Sequence, residues 1–293
     1  MQIEQSLVAG PRGALEVWAA GPPEGVSLIY HHGTPGAGLL FDGTVRAAAA
    51  RGIRMISYAR PGYGASARHA GRRVLDAAGD VSAVLDALGV RRAYTGGVSG
   101  GGPHALATAA LLPQRVICAV TIGGVAPWRA EGLDFLAGMA PENHDEFAAA
   151  LAGEEVLRLF LEAGQMALTG ASGAQLAAAM GELMSEPDRR AMTGEYAEFL
   201  AGQIHAALGN GVDGWLDDDL AFTADWGFAL DRITVPVGVF QGLEDRFVPP
   251  GHAQWLAAHV PGAVLVPLEG EGHLSVEARR WEDVLDWLLS SGR

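Results

Sequence analysis

The sequence predicts an α/β domain with a mostly parallel sheet, helices on both of its faces and one inserted helical segment. Short, continuously apolar runs alternate with segments of helical periodicity, which is typical of parallel strands buried between helices. The alternation stops between residues 127 and 228, where helical patterns follow one another without a strand. A chain of 293 residues is long enough for one such domain carrying an insertion.

The predicted strands and helices follow in a regular order. Extended runs near 3–9 and 14–20 predict an antiparallel edge, and "VSLIYHH" at 26–32 predicts the first parallel strand. The remaining strands are predicted at 53–59, 92–98, 115–122, 235–242 and 263–268. Helices are predicted at 39–52, 72–90, 102–114 and 251–260, and a last helix presents the apolar residues Val276, Trp281, Val284, Leu285, Leu288 and Leu289.

The segment 127–228 is predicted to be a separate helical unit, inserted between core segments 1–126 and 229–293. Helical patterns cover 154–168, 173–184 and 188–208. Charge supports the same division, because residues 127–226 hold 18 of the 34 acidic residues and 4 of the 20 basic ones. The net charge of −14 therefore arises within this unit.

Composition excludes several classes of function. All 20 basic residues are arginine, so the lysine of a Walker-type phosphate loop and the amine of Schiff-base chemistry are both missing. The single cysteine, Cys118, is predicted to lie in the core because it belongs to the apolar run "RVICAV". One cysteine alone excludes an intramolecular disulfide and a Cys-x-x-Cys zinc site. An acidic chain lacks the basic surface that nucleic acid or an anionic membrane requires. Without a signal peptide or a bilayer-spanning apolar run, we expect a cytoplasmic protein.

The first chemical motif is "GVSGG", residues 97–101, between a predicted strand and a predicted helix. It matches Gly-x-Ser-x-Gly, in which glycines permit a sharp turn that exposes Ser99 as a nucleophile. The competing interpretation is a dinucleotide loop, since Gly100, Gly102 and Ala105 satisfy Gly-x-Gly-x-x-Ala. That interpretation requires an acidic residue after the next strand, and the first one there is Glu131. The nucleophile interpretation is favoured.

A serine nucleophile needs a base and a group that orients the base. His273 follows the strand at 263–268 in the loop "EGEGH", and Asp245 follows the strand at 235–242 in "QGLEDRFVP". Glu244 is the neighbouring alternative to Asp245. The chain order Ser, Asp, His is the one expected of a hydrolase with its nucleophile on such a turn. His31 and His32 are expected to hydrogen-bond neighbouring loops, and His104, His252 and His259 are predicted to be structural or solvated.

Four motifs together resemble the α/β-hydrolase superfamily in its capped branch, and they are "HHGTPG", "YARPGYGAS", "GGVSGGG" and "QGLEDRFVP" followed by "GEGH". The resemblance implies an α/β-hydrolase fold with residues 127–228 as a helical cap (lid) after the sixth strand. It also implies that the amides of Thr34 and Gly100 form an oxyanion hole. Epoxide hydrolases and haloalkane dehalogenases of the superfamily have Asp in place of Ser99, so the resemblance excludes their chemistry. Arg60 is expected in a structural ion pair.

The expected function is acyl transfer from a carboxylic ester or a lactone to water, by Ser99, His273 and Asp245, without metal or cofactor. Residues expected to line the substrate pocket are Gly33, Trp128, Phe135, Met139, Phe247 and Leu274. An aminopeptidase releasing N-terminal proline is the alternative, because the acid-rich cap suits an amine, although such relatives usually carry Trp where this chain has Gly100. A hydrolase-like binding or receptor protein is the alternative of another class. The expected partner is a small-molecule substrate, and the expected assembly is a monomer or a homodimer.

Overall fold

The computed structural model describes residues 2–292, and its centre is a single eight-stranded sheet. The strands lie in the order β1-β2-β4-β3-β5-β6-β7-β8. Their bounds are β1 Ile3–Gly10, β2 Gly13–Ala20, β3 Val26–His31, β4 Ile53–Tyr58, β5 Ala93–Val98, β6 Val116–Ile122, β7 Val237–Gly242 and β8 Val264–Leu268.

The pairing of the strands follows the predicted fold class. β1 and β2 form an antiparallel hairpin with Gly10 opposite Gly13, and β2 pairs antiparallel with β4. Every later pair is parallel, from β3 with β4 to β7 with β8. The predicted α/β architecture with an antiparallel edge is confirmed. Because the parallel strands share one direction, their carboxyl ends meet along one edge of the sheet, where reactive loops gather in such folds.

Helices cover both faces of the sheet. The helices outside the β6–β7 interval are α1 Asp42–Ala50, α2 Ala77–Ala87, α3 Gly101–Leu111, α10 Pro250–His259 and α11 Leu274–Ser291. Successive strand residues alternate between the faces, as β3 shows. Leu28 and Tyr30 belong to the buried cluster that includes α1 and α11, and Ile29 belongs to the cluster that includes α2. A third cluster packs α3 and α10 against β6 and β7.

Between β6 and β7 the described chain contains helices and no strand of the sheet. They are α4 Pro141–Ala152, α5 Glu154–Leu168, α6 Gly173–Ala179, α7 Glu186–Ala191, α8 Gly194–Leu208 and α9 Asp213–Thr223. The pattern at 188–208 predicts one helix, and this prediction is wrong. The chain forms α7 and α8 instead, because Thr193 between them has an extended backbone, with a φ of −140° and a ψ of 160°, which interrupts the helix.

None of the helices within residues 2–292 combines the length and the apolar composition needed to cross a membrane.

Candidate active site

Ser99 lies on the sharp turn between β5 and α3. Its φ is 53°, a left-handed conformation that is uncommon for a residue with a side chain, and functional sites often hold such strain. Its backbone N–H donates to the Ile122 carbonyl at the end of β6, at 2.8 Å. The turn requires glycine close by, since a Cβ on Gly101 would lie 2.1 Å from the His31 carbonyl oxygen. The turn therefore presents Ser99 beyond the carboxyl end of β5.

Asp245 and His273 form a buried pair. Asp245 Oδ2 lies 2.7 Å from His273 Nδ1. The other carboxylate oxygen accepts the backbone N–H groups of Phe247 and Val248, at 2.9 and 2.8 Å. Because the carboxylate can only accept, the imidazole donates from Nδ1 and keeps a basic lone pair on Nε2. Glu244 is exposed, so the loop directs only Asp245 to the histidine.

The electrostatic environment favours the charged form of His273. Burial by itself lowers the pKa of the imidazole, but the carboxylates around it, first the hydrogen-bonded Asp245 and then Asp188 and Glu277, together outweigh burial and raise the pKa above its ordinary value. Phe247 stacks on the ring, with the centroids 4.7 Å apart and the planes inclined by 19°. The stacked ring and the Asp245 hydrogen bond together hold the imidazole in one orientation.

Ser99 and the Asp245–His273 pair approach one another at the end of β6. Gly123 follows Ile122, whose carbonyl binds the Ser99 amide. A Cβ on Gly123 would lie 2.9 Å from His273 Nδ1 and 3.1 Å from Asp245 Oδ2. Ser99 and His273 also line the same cavity. The structure thus brings together the three residues that the sequence singles out.

The loop after β3 reaches the same cavity. Gly33, Thr34 and Gly100 all line it, and a Cβ on Gly33 would lie 3.5 Å from the Cβ of Ser99. Thr34 and Gly100 are close neighbours, since a Cβ on Gly100 would lie 2.3 Å from Thr34 Oγ1. The Thr34–Pro35 peptide bond is cis. The two backbone amides predicted to bind an oxyanion therefore lie on adjacent loops beside Ser99.

An ion pair holds the loop after β3. The Arg60 guanidinium donates to the carbonyls of His32 and Gly33 at 2.6 and 3.0 Å, and to Asp218 Oδ2 at 2.6 Å. Thr34 Oγ1 donates to the same Asp218 oxygen at 2.7 Å. Burial alone would raise the pKa of Asp218, but Arg60 and Arg72 outweigh it and hold this pKa well below its usual range. Arg60 therefore supports this loop, and the His32 ring accepts the Arg60 backbone N–H at 3.2 Å.

The cavity has a volume of about 420 Å³ and lies between the sheet edge and the helices inserted between β6 and β7. Of the residues predicted to line it, Gly33, Met139, Phe247 and Leu274 do so, as does Phe160. Trp128 and Phe135 are absent from the lining. They pack on Phe147, with ring centroids 5.6 and 5.0 Å away, and Phe147 itself faces the cavity. The two rings therefore lie one layer behind the cavity wall and support it through Phe147.

The sequence interpretation did not identify two carboxyl groups on the cavity wall, the half-buried Glu146 and the buried Asp219. Glu146 and Asp219 interact electrostatically, and the Trp215 indole donates to Glu146 at 2.6 Å. Burial raises the pKa of both carboxyls, and the proximity of Glu146 raises the pKa of Asp219 further. A usable signal existed in "DDD", residues 217–219, inside an otherwise apolar stretch. Three consecutive acids in a buried helix each need a partner.

Glu277 is a further carboxyl group on this wall. It accepts hydrogen bonds from the hydroxyls of Tyr30 and Tyr196, the latter at 3.0 Å. Burial raises its pKa. Tyr196 belongs to α8 and Tyr30 to β3, so Glu277 joins the inserted helices to the sheet.

Three further histidines, His104, His252 and His259, have structural contacts. His104 Nδ1 lies 2.8 Å from the Gly100 carbonyl, and the His252 ring bridges the Ala126 amide and the Phe135 carbonyl. His259 stacks on Trp255. Within residues 2–292, no group of three His, Cys, Asp or Glu side chains is arranged to hold a metal ion.

Comparison with known proteins identifies the family. A family profile described as the alpha/beta hydrolase fold matches residues 26–278. The chain belongs to the α/β-hydrolase family. The match spans both the loop after β3 and the start of α11, so it includes every segment that contributes to the candidate site. This hydrolase is therefore an enzyme of a family that includes esterases and haloperoxidases.

Individual relatives cover most of the hydrolase. The non-heme chloroperoxidase of Streptomyces lividans is 29% identical over 256 residues, which cover 86% of this chain and 87% of the relative. Rhodomycin D methylesterase of Streptomyces peucetius is 30% identical, over 67% of this chain and 65% of its own. A solved hydrolase from Pseudomonas aeruginosa superimposes with a TM-score of 0.71 at 24% identity, covering 98% and 97% of the two chains. The last likeness concerns the fold.

Proposed function

We propose that this hydrolase cleaves carboxylic esters or lactones through an acyl-enzyme intermediate on Ser99. The observation that carries the proposal is the 2.7 Å hydrogen bond between Asp245 and His273 at the wall of the cavity that also contains Ser99. A serine hydroxyl is a weak nucleophile until a positioned base accepts its proton. The relatives' names support ester chemistry as well, because one of them is a methylesterase.

In the first half-reaction His273 Nε2 accepts the hydroxyl proton while Ser99 Oγ bonds to the ester carbonyl carbon. The carbonyl oxygen becomes an oxyanion, and His273 becomes an imidazolium that Asp245 stabilises without taking the proton. The tetrahedral intermediate then breaks its carbon–oxygen bond to the alcohol, which takes the proton from His273. In the second half-reaction water attacks the acyl-enzyme, His273 again accepts and returns the proton, and the acid leaves.

The amides of Thr34 and Gly100 are the proposed oxyanion donors. They belong to adjacent loops beside Ser99, and Gly100 begins the turn into α3, whose N-terminal amides favour negative charge. One such donor is worth about 3 kcal/mol of transition-state stabilisation. The loop that carries Thr34 is fixed by Arg60 and Asp218, so its position is set before substrate arrives.

The lining of the cavity favours a substrate without negative charge. No arginine is found among the described residues that line the cavity. Four carboxyl groups do line it, those of Glu142, Glu146, Asp219 and Glu277. A substrate carboxylate would be desolvated beside these acids without a cationic partner, which costs free energy. Apolar side chains such as Met139 and Phe160 make up the acyl-binding surface. An uncharged ester or lactone is the proposed substrate class.

The aminopeptidase alternative rests on the same carboxyl groups, since an ammonium would be attracted to them. The position after Ser99 counts against it. A Cβ on Gly100 would lie 2.3 Å from Thr34 Oγ1 and 2.8 Å from Phe222, so the tryptophan usual in those relatives has no room here.

A matched panel of substrates tests the proposal. We expect hydrolysis of p-nitrophenyl butyrate, kcat/KM at least tenfold lower for p-nitrophenyl hemisuccinate, and no release of nitroaniline from proline p-nitroanilide. Ser99→Ala should abolish ester turnover. Equal rates on the butyrate and the hemisuccinate would contradict the charge argument. Preferred cleavage of the proline substrate would establish the aminopeptidase instead. No turnover of any ester or lactone would leave the binding-protein interpretation.

A further inference from the structure

The loop that carries His273 is held by a carboxylate from the inserted helices. Asp188 belongs to the short helix α7 and is completely buried. Its Oδ2 accepts the backbone N–H of His273 at 3.1 Å. Its Oδ1 accepts the N–H groups of Leu274 and Ser275 at 2.8 and 2.9 Å. One side chain thus binds three consecutive amides at the start of α11.

The surrounding contacts fix Asp188 itself. The Ser185 hydroxyl donates to Asp188 Oδ2 at 2.8 Å. The backbone of Gly272 packs directly on this pair, since a Cβ there would lie 2.3 Å from Asp188 Oδ2 and 2.2 Å from Ser185 Oγ. Gly272 in turn donates its N–H to Ser275 Oγ at 2.8 Å. The turn from 272 to 275 therefore has one tightly packed arrangement around the Asp188 carboxylate.

We propose that Asp188 is a positioning residue for His273, so that the inserted helical segment sets the place of the general base. The inference rests on the proposed function, because it assigns Asp188 a role in the proton transfers of His273. Asp188 touches neither substrate nor reacting atoms. It acts through the backbone of His273, while Asp245 acts through the ring. The imidazole is thus held from two sides, one in the core and one in the inserted segment.

Because Asp188 carries a charge, its replacement should change the pKa of His273, which a change in packing alone would not do. Three carboxyl groups influence the imidazole: Asp245 after β7, Asp188 on α7 and Glu277 on α11. A negative charge at Asp188 favours the imidazolium form. Replacing Asp188 by asparagine should lower the pKa of His273 and move the acid limb of kcat/KM toward lower pH. The asparagine side chain would also place an NH₂ group where one carboxylate oxygen now accepts, so a backbone N–H would lose its acceptor.

The test compares Asp188→Asn with Glu186→Gln, which alters an exposed acid on the same helix. For Asp188→Asn we expect kcat for a neutral ester to fall at least tenfold, KM to change less than threefold and the acid limb to move to lower pH. Glu186→Gln should match the parent in all three. Ser185→Ala serves as a milder variant that keeps the test usable if Asp188→Asn does not fold, and we expect it to lose kcat two- to fivefold.

The outcomes separate this inference from the proposed function. If the parent hydrolyses esters and folded Asp188→Asn retains kcat within twofold with an unmoved acid limb, the positioning role is wrong. The role is also wrong if folded Asp188→Asn loses kcat while its acid limb stays in place and Ser185→Ala keeps full activity. If the parent itself hydrolyses no ester, the proposed function fails first.

Discussion

The guanidinium of Arg60 and the carboxylate of Asp218 meet at 2.6 Å, and their side chains are 1% and 0% exposed. Arg60 comes from the loop after β4 and Asp218 from α9, so the pair joins the sheet edge to the inserted helices. Arg72 also binds Asp218, at 2.7 Å. Both residues contact Thr34 Oγ1, so loss of the ion pair should affect the stability of the fold and the position of the Thr34 loop.

Arg60→Ala should lower the free energy of unfolding by about 3–5 kcal/mol, because it leaves a buried charge with too few partners. The exposed pair of Arg46 and Asp42 supplies the control, and Arg46→Ala should cost less than about 1 kcal/mol. Urea unfolding measures both variants. Equal small losses for the two arginines would refute the structural role assigned to Arg60.

Gly100→Ala should lower kcat at least a hundredfold, because the new methyl group would displace Thr34 and with it one oxyanion donor. Gly202 offers a matched control. It lies within α8, a Cβ there meets no atom within 4 Å, and alanine suits a helix better than glycine. Steady-state kinetics on one neutral ester should therefore show Gly202→Ala within twofold of the parent. A Gly100→Ala enzyme with comparable activity would count against the oxyanion assignment.

The pH profile reports the protonation of His273. Only the neutral imidazole can accept the Ser99 proton, so kcat/KM should fall as the pH drops through the pKa of the free enzyme's His273. Since the pKa of His273 is raised, the midpoint of this fall should lie above the ordinary value of 6.5. Asp245→Asn should move the midpoint down as well as reduce kcat. A parent midpoint below 6.5 would show that burial, and not Asp245, dominates.

A buried acid that does not line the cavity, Asp80, makes stability depend on pH. Burial raises the pKa of Asp80 on α2 to about 7, from 3.8. Between these values the unfolded state binds fewer protons than the folded state, so stability falls as the pH rises. Asp80→Asn should equal the parent below pH 3.8 and exceed it above pH 7, by at most about 4 kcal/mol. Urea unfolding across this range checks the trend, and a pH-independent difference would contradict it.

The sequence predicts the strands and the loops that follow them, because both depend on local residue patterns. Strand periodicity and the glycines around Ser99 locate the sheet edge, and the loops after β7 and β8 supply Asp245 and His273. Contacts between the inserted helices and the core leave no such pattern. Asp188 and His273 are 85 residues apart, and only the fold brings them together. For the same reason, apolar character could not distinguish Met139 in the cavity lining from Phe135 behind it.

The most direct measurement of the central claim is the mass of the intact protein after treatment with a fluorophosphonate at neutral pH. We expect one adduct per chain, mapped by peptide sequencing to the peptide containing Ser99, and none on Ser99→Ala. The Asp188→Asn and Gly100→Ala variants should react more slowly than the parent, while Glu186→Gln and Gly202→Ala should match it. A folded parent protein that gains no adduct, or gains one on a residue other than Ser99, would contradict the account.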